Sequence, residues 1–208
     1  MSAKNTTKGI LFAVSLLTFA AHGYAQTNGE SDDGLKDAVI LVIRHAEKTD
    51  DGSGLSLAGQ ARAKAYVDYF TNFMVKGRPL KIDRLYAAAD SKGSNRSRLT
   101  LEPLSQALGL ALDHQFKSKH PEKLVAAIRE HPPGGHYLIC WHHGAIPQLL
   151  SAFGADPAML FPKKNHWPAH IFDWVIRLTF DSNGHLLEAT GMSEKVTPDN
   201  SENGSPGG

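Results

Sequence analysis

Residues 39–48 read Val-Ile-Leu-Val-Ile-Arg-His-Ala-Glu-Lys, an apolar run that changes abruptly into a charged segment containing a histidine. A continuous apolar run of this length is typical of a strand that is covered on both faces of a sheet. Because α/β proteins bind ligands beyond the carboxyl ends of their strands, this change marks a candidate site. Arginine beside histidine suits a phosphate group, since one offers a fork of donors and the other a nucleophile or acid–base group.

The rest of the chain continues this alternation of strand-like and helix-like patterns. Ser56 is placed to cap the first helix, and a hairpin is predicted across residues 181–184. Alternation of this kind predicts a three-layer α/β/α sandwich around a mostly parallel central sheet. The predicted strands cover residues 82–88, 111–116, 137–141, 171–180 and 185–190, and the predicted helices cover residues 57–75, 96–108, 121–130 and 145–153.

Two further predicted strands also lead to cationic or imidazole side chains. The second strand is followed by a loop with Ser94 and then by Arg96 at a helix start, and a later strand is followed by His142 and His143. The carboxyl ends of parallel strands lie at one edge of a sheet, so these groups are expected to converge with the arginine and histidine of the opening stretch. Two arginines, two histidines and a helix N-terminus form a predicted site for a phosphate dianion.

Four motifs, in order along the chain, resemble those of the histidine phosphatase superfamily, also called phosphoglycerate mutase-like. Residues 44–47 resemble its Arg-His-Gly signature, with alanine in place of glycine, and residues 55–63 resemble its helix start with leucine, serine or threonine, and glycine. Residues 96–104 match an Arg-x-x-x-Thr-x-x-Pro-Leu segment, and residues 142–147 resemble the second histidine motif ending in Ile-Pro. The resemblance implies a phosphoglycerate mutase-like fold.

The resemblance also implies roles for the residues of the predicted pocket. His45 would be the nucleophile that attacks phosphorus, and its other ring nitrogen would donate to a backbone carbonyl. Arg44 and Arg96 would clamp the phosphoryl oxygens, and the four-residue spacing to Thr100 favours Arg96 over Arg98. The other predicted members of the pocket are His142, which would complete the phosphate site, and Ser94 and His143, which would contact the substrate.

One part of the family pattern is missing from this chain. Many members carry a general-acid glutamate after the third strand, and no residue here matches it. Since a leaving alkoxide needs a proton, Glu47, Asp90 and His143 are candidate donors, and a leaving group that departs without a donor is the alternative. The loops over residues 89–95 and 163–170 either shape the pocket or, in the case of Trp167, pack beneath a turn.

The function implied is that of an exported phosphomonoesterase that hydrolyses a small phosphate ester through a phosphohistidine on His45. A phosphohistidine phosphatase acting on proteins and a catalytically inactive phosphate-binding member are the alternatives. No cofactor or metal is expected, because the zinc deaminase signature that His45 and Glu47 match in part also needs two cysteines, and Cys140 is the only one. Burial in an apolar run predicts that this thiol is inert.

The ends of the chain predict export. Residues 1–25 have the charged start, short apolar stretch and small-x-small end of a signal peptide, with cleavage after Ala25 and a periplasmic or secreted product. Without Lys4 and Lys8 the net charge changes from +1 to about −1, which gives no indication of a nucleic-acid partner or of stable membrane association. Residues 26–36 are predicted as a flexible linker, residues 37–192 as the histidine phosphatase domain and residues 193–208 as a disordered tail.

Overall fold

The computed structural model describes Met1, residues 33–161 and residues 166–196. The predicted signal peptide, apart from Met1, lies outside these described residues, as do most of the predicted linker and residues 197–208 of the predicted tail. By its contacts the chain divides into residues 1–30 and residues 31–208, and the fold belongs to the second unit.

Strands and helices alternate along the described residues as the apolar pattern predicts. The two helices predicted over 121–130 and 145–153 form within one residue of these limits. The strands predicted over 82–88 and 111–116 are shorter, at four and two residues. In chain order the elements are β1 (Val39–Arg44), α1 (Leu57–Thr71), β2 (Met74–Val75), β3 (Arg78–Pro79), β4 (Arg84–Ala87), α2 (Arg96–Leu108), β5 (Leu112–Asp113), α3 (Pro121–Arg129), β6 (His136–Trp141), α4 (Ile146–Ala152), α5 (Pro157–Leu160), β7 (Trp174–Phe180) and β8 (Leu186–Ser193).

Six of these strands form the central sheet, in the order β5-β4-β6-β1-β7-β8. The first four run parallel to one another, whereas β7 and β8 are antiparallel and form the predicted hairpin at one edge. The prediction of a mostly parallel sheet is confirmed. Because β1 and β6 are parallel neighbours, the segments that follow them emerge side by side at the same edge of the sheet.

The sheet is covered by helices on both faces, which confirms the three-layer sandwich. Side chains alternate along a strand, so Ile40 and Val42 of β1 face one core with α3 and α4. Leu41 and Ile43 face the other core with α1 and α2. All six residues of β1 are buried for this reason, and His45, the residue after β1, lies at the end of both cores.

The ends of α1 show where local signals decide the structure. Ser56 caps the helix as predicted, because its Oγ accepts a hydrogen bond from the first turn at 3.1 Å. The helix ends at Thr71, so the prediction that it reaches Val75 is wrong. Lys76 and Gly77 adopt positive φ values of 50° and 75°, a conformation that a right-handed helix does not contain, and β2 pairs with β3 across this turn.

The packed fold extends further at both ends than the polar composition of these segments indicates. Leu35, within the predicted linker, has no exposed surface. β8 continues to Ser193, and Glu194, within the predicted tail, is buried and bonded to Arg62. These positions are fixed by partners that are distant in sequence, which composition does not reveal. No helix among the described residues is long and apolar enough to cross a membrane.

Candidate active site

The candidate site lies where β1 and β6 end. His45 follows β1 directly, and its backbone N–H donates to the carbonyl of Trp141, the last residue of β6, at 3.1 Å. His142 follows Trp141, and its ring lies edge-on to that of His45 with the centroids 5.4 Å apart. The structure therefore brings together the two histidines that sequence spacing places about a hundred residues apart.

The His45 ring is fixed in one tautomer. Its Nδ1 lies 2.8 Å from the carbonyl oxygen of Ala46, and because a carbonyl only accepts, Nδ1 carries the hydrogen and Nε2 carries the free lone pair. This confirms the expected backbone acceptor. Burial lowers the pKa of His45 to about 3; the bond to Ala46 partly opposes this, and the charge of Arg44 adds to it. His45 is therefore neutral at neutral pH, the form in which an imidazole is a nucleophile.

The segment after His45 is tied to the start of α2 through Thr100. The Ala46 N–H donates to Thr100 Oγ1 at 2.9 Å, and the Thr100 hydroxyl donates to the carbonyl of Arg96 at 2.8 Å. Thr100 has no exposed surface, so water does not compete for these bonds. One buried hydroxyl thus links the residue next to His45 to Arg96, which is the first residue of α2 and the second predicted phosphate ligand.

Arg96 is the arginine of α2 that is available to a ligand. Its Nη1 donates to the Gly52 carbonyl at 3.3 Å, and its Nε is buried with no hydrogen-bond partner among the described residues. Its charge acts to lower the pKa of both His45 and His142, whose pKa values are lowered chiefly by burial. Arg98, two residues on, is bonded instead to Asp90 and Glu102. Arg96 is therefore the one of these two arginines that makes no ion pair within the described part of the chain, and its role as a phosphate ligand stays a prediction.

Arg44 is buried and already holds part of the pocket wall. Its Nη1 donates to the carbonyls of Ala169 and Ile171 at 2.6 and 2.9 Å, and its guanidinium carbon lies 3.8 Å from the ring centroid of Phe172. Its Nε has no hydrogen-bond partner among the residues described. Burial lowers the pKa of Arg44 to about 10, so it remains charged at neutral pH. Arg44 therefore anchors the loop before β7 and, as a charged group next to His45, remains a predicted phosphate ligand.

His143 and Ser94, both predicted to contact the substrate, differ in their surroundings. His143 is half-buried, and burial followed by the charges of Arg44 and His142 lowers its pKa to about 4. Ser94 is 6% exposed, and its Oγ accepts a hydrogen bond from the Arg96 N–H at 3.4 Å. Ser94 thus supports the start of α2, whereas His143 lies among the cationic groups of the pocket.

The two carboxylates considered as proton donors are both held in ion pairs. Arg62 Nε donates to the two carboxylate oxygens of Glu47 at 3.0 and 3.1 Å, and Arg62 Nη2 donates to one of them at 2.8 Å. Asp90 accepts from Arg98 Nε at 2.9 Å. A role for Glu47 in proton donation has to compete with this bidentate pairing.

Two contacts of the site have no local signal in the sequence. Phe172 lies beside Arg44, and its ring centroid is 6.4 Å from that of His45. Arg62 is fully buried and binds both Glu47 and Glu194, the second of which lies 132 residues further along the chain. Arg62 lies in the motif at the start of α1, but its partner could not be identified from spacing.

The loop before β7 packs into the core at Trp167, and its backbone carbonyls at Ala169 and Ile171 bind Arg44. Trp167 has no exposed surface and donates from Nε1 to the Ile171 carbonyl at 2.8 Å, so it packs beneath the turn. The neighbouring carbonyls bind Arg44, as described above. Residues 162–165 of the predicted loop lie outside the described residues.

The described residues contain no cluster of side chains that could hold a metal ion. Among residues 33–161 and 166–196, no three histidine, cysteine, aspartate or glutamate side chains come together as a metal site would require. Cys140 is buried, as predicted, and burial raises the pKa of its thiol to about 12. The thiol is therefore protonated and unreactive.

No protein family profile and no curated protein matches the chain by sequence. Among solved structures, it is similar to the protein histidine phosphatase SixA complexed with tungstate, with 17% identity, coverage of 75% of this chain and 97% of the other, and a TM-score of 0.47. It is also similar to phosphoglycerate mutase from Bacillus anthracis, with 13% identity, coverage of 76% and 93%, and a TM-score of 0.45.

A third similar structure is the mycobacterial glucosyl-3-phosphoglycerate phosphatase, with 15% identity, coverage of 74% of this chain and 97% of the other, and a TM-score of 0.44. At these identities and TM-scores the likeness carries no conclusion about activity, which depends on the residues of the site.

Proposed function

We propose that this chain is a phosphatase of the histidine phosphatase superfamily that hydrolyses a small phosphate ester through a covalent phosphohistidine on His45. The observation that carries the proposal is the state of the His45 ring. It is neutral, its Nδ1–H is bonded to the Ala46 carbonyl, and its Nε2 lone pair is left for attack. Arg44 and Arg96 lie close enough to influence its pKa, and their charge suits a phosphoryl group.

The reaction has two balanced steps. His45 Nε2 attacks phosphorus, the bond between phosphorus and the ester oxygen breaks, and the leaving oxygen takes up a proton from solvent to depart as the alcohol. Water then attacks phosphorus and releases one proton to solvent, the P–N bond breaks, and inorganic phosphate leaves while His45 returns to its neutral tautomer. Arg44, Arg96 and His142 stabilise the charge of the phosphoryl oxygens in both steps, and the bond to Ala46 keeps Nε2 as the attacking atom.

A second candidate function is hydrolysis of a phosphoramidate such as phosphohistidine in a protein. The observation that favours it is the state of the carboxylates, since Glu47 and Asp90 are both bonded to arginines. A leaving group that departs without a carboxylic acid donor suits such a site. Comparing an alkyl phosphate, p-nitrophenyl phosphate and a phosphohistidine peptide separates the two functions by the leaving group that each requires.

Export is the other part of the proposal. The charged start, apolar stretch and Ala25 cleavage site of residues 1–25 support it. Expression of the full chain in a Gram-negative host is expected to yield a periplasmic protein whose first residue is Gln26. Recovery of the uncleaved chain in the cytoplasm would contradict export without affecting the chemistry.

The chemistry is tested by hydrolysis of p-nitrophenyl phosphate and by trapping the intermediate. The wild-type protein is expected to turn over and to form an acid-labile phosphoenzyme, and His45→Ala is expected to lose both, with a rate lower by at least about 1,000-fold. His120→Ala, at an exposed histidine paired with Glu122, is the matched control that retains activity. Full activity in His45→Ala would exclude the covalent route, and phosphate binding without turnover in the wild type would identify a non-catalytic binder.

A further inference from the structure

Arg62 occupies an unusual position for a charged side chain, because it lies on the buried face of α1 with no exposed surface. Two of its nitrogens bind Glu47, and Nη1 donates to Oε1 of Glu194. The Tyr66 hydroxyl donates to the same Glu194 oxygen at 3.1 Å. The guanidinium therefore joins the segment after the nucleophile to the segment after β8.

Glu47 is held by α1 through its backbone as well as its side chain. Its carbonyl oxygen accepts from the Ser56 N–H at 3.0 Å, and it lies so close to α1 that a Cβ on Gly59 would be 2.2 Å away. Glu47 is next in sequence to Ala46, whose carbonyl fixes the His45 tautomer. A displacement of Glu47 would be passed to that carbonyl through a single peptide unit.

A purely structural role does not account for the charge at position 62. Buried ion pairs are often replaceable by apolar side chains without loss of stability, so packing of α1 against the sheet does not require a guanidinium. The charge does have an effect on the pocket. Glu47 is near enough to Arg44 for its charge to influence that residue's pKa, and an unneutralised carboxylate there would repel a phosphate dianion.

We propose that Arg62 is a positioning residue that, by binding Glu47, holds the Ala46 carbonyl against His45 and neutralises a carboxylate beside the phosphate pocket. In this role Glu47 is an anchor for the loop and does not protonate the leaving group. The inference deepens the proposed phosphatase function and rests on it. Arg62 would act through the geometry of His45, so its effect can be measured on the His45 ring without measuring turnover.

The experiment compares Arg62→Met with wild type for two substrates, p-nitrophenyl phosphate and an alkyl phosphate. Arg62→Met is expected to lower kcat by about tenfold to 100-fold for both substrates, because a misplaced nucleophile slows attack on either. The KM values are expected to change much less than kcat. Arg62→Lys keeps the charge but offers no fork of donors, so it is expected to recover part of kcat. Glu47→Gln is expected to reduce kcat by the same factor for both substrates.

The control is Arg177→Met, which removes a different arginine, partly buried on β7, from its ion pair with Glu188. It is expected to leave kcat unchanged. If Arg62→Met does not fold, the triple variant Glu47→Gln, Arg62→Met, Glu194→Gln leaves no buried charge unpaired and is expected to fold with the same loss of kcat. Wild-type kcat in Arg62→Met or in the triple variant would overturn the inference. A Glu47→Gln loss confined to the alkyl phosphate would overturn it too, and would identify Glu47 as the acid.

A measurement on the ligand-free protein separates this inference from the proposed function. The Nδ1 proton of His45, bonded to Ala46, is expected to give a protected imidazole resonance in wild type and in Arg177→Met. Arg62→Met is expected to lose that protection. If wild type shows the resonance but hydrolyses no phosphate ester, the proposed function fails on its own. An unchanged resonance in folded Arg62→Met would contradict the positioning role, whatever the activity.

Discussion

At the scale of single residues, the candidate site is cationic before any substrate enters it. The pKa values of its three imidazoles are lowered in part for this reason. Burial lowers the pKa of His45, His142 and His143, and the charge of Arg44 adds to the effect at each of them. All three rings are therefore neutral at neutral pH in the free protein. A bound phosphate dianion would offset the positive charge, so the ligand itself makes protonation of a pocket histidine easier.

The lowered pKa of His45 predicts an acid-dependent loss of stability. Between the ordinary value of 6.5 and about 3, the unfolded chain binds a proton at this residue and the folded chain does not. Stability contributed by the neutral ring is therefore complete above pH 6.5 and falls as the pH drops, by about 2 kcal/mol between pH 7 and pH 5. Urea unfolding at both pH values is expected to show this extra loss in wild type relative to His45→Asn. Equal losses in the two proteins would contradict the prediction.

The residues that could be predicted are those whose signal is local. Arg44, His45 and His142 lie at or directly after the ends of apolar runs that become strands, and Arg96 begins a helix of predicted length, so position and chemistry coincide in the sequence. Phe172 gave no such signal, because its importance depends on a contact with Arg44, 128 residues away in sequence. Residue type alone does not distinguish a buried charge with a distant partner from a solvated one.

At the scale of elements, the site depends on how closely α1 approaches the segment after β1. The Ser56 cap and the absence of a side chain at Gly59 allow the first turn of α1 to contact the Glu47 carbonyl. The same signals that begin the helix therefore also position the loop beside the nucleophile. This gives a physical reason for the spacing of serine and glycine in that motif.

Gly59→Ala is expected to be destabilising and to lower activity. Alanine is favoured over glycine within a helix by about 1 kcal/mol, but here its Cβ would be 2.2 Å from the backbone oxygen of Glu47. The atoms nearest to this Cβ are backbone atoms of Glu47, which cannot move aside as the end of a flexible side chain could. We therefore expect the unfolding free energy to fall by about 1–3 kcal/mol and the reaction to be slower. Gly93→Ala, at a glycine with open space around its Cβ position, is the control. A more stable Gly59→Ala protein with normal kcat would show that the contact is loose.

Element boundaries were predicted where a residue forces them. Gly109 ends α2 in the left-handed conformation, and the predicted end of this helix is confirmed. The end of α1 was missed because the apolar spacing continues past Thr71, while the turn that stops the helix has a lysine at one of its positive-φ positions. The single turn of α5, capped by Asp156, is too short to have an apolar period.

At the scale of the whole molecule, the two cores on either side of the sheet meet at β1, and the proposed phosphate site lies at the end of that strand. Under the proposed function, the phosphate ligands would come from the ends of β1 and β6 and from the start of α2, so a bound anion would contact elements from different parts of the sheet and its flanking layers. A ligand that binds only the folded state adds its binding free energy to the stability of the fold. Inorganic phosphate is therefore expected to stabilise the entire domain.

Arg96 and Arg98 offer a matched test of that expectation, because they lie two residues apart on α2. At about 100 times its dissociation constant, phosphate is expected to add about 2.7 kcal/mol to the unfolding free energy of the wild-type protein. Arg98→Gln is expected to keep this effect, since Arg98 is bonded to Asp90 and Glu102. Arg96→Gln is expected to lose most of it, since Arg96 has an unpartnered buried Nε among the described residues. The measurement is the unfolding temperature of all three proteins at increasing phosphate concentration. Equal increases in both variants would show that Arg96 does not bind the phosphate.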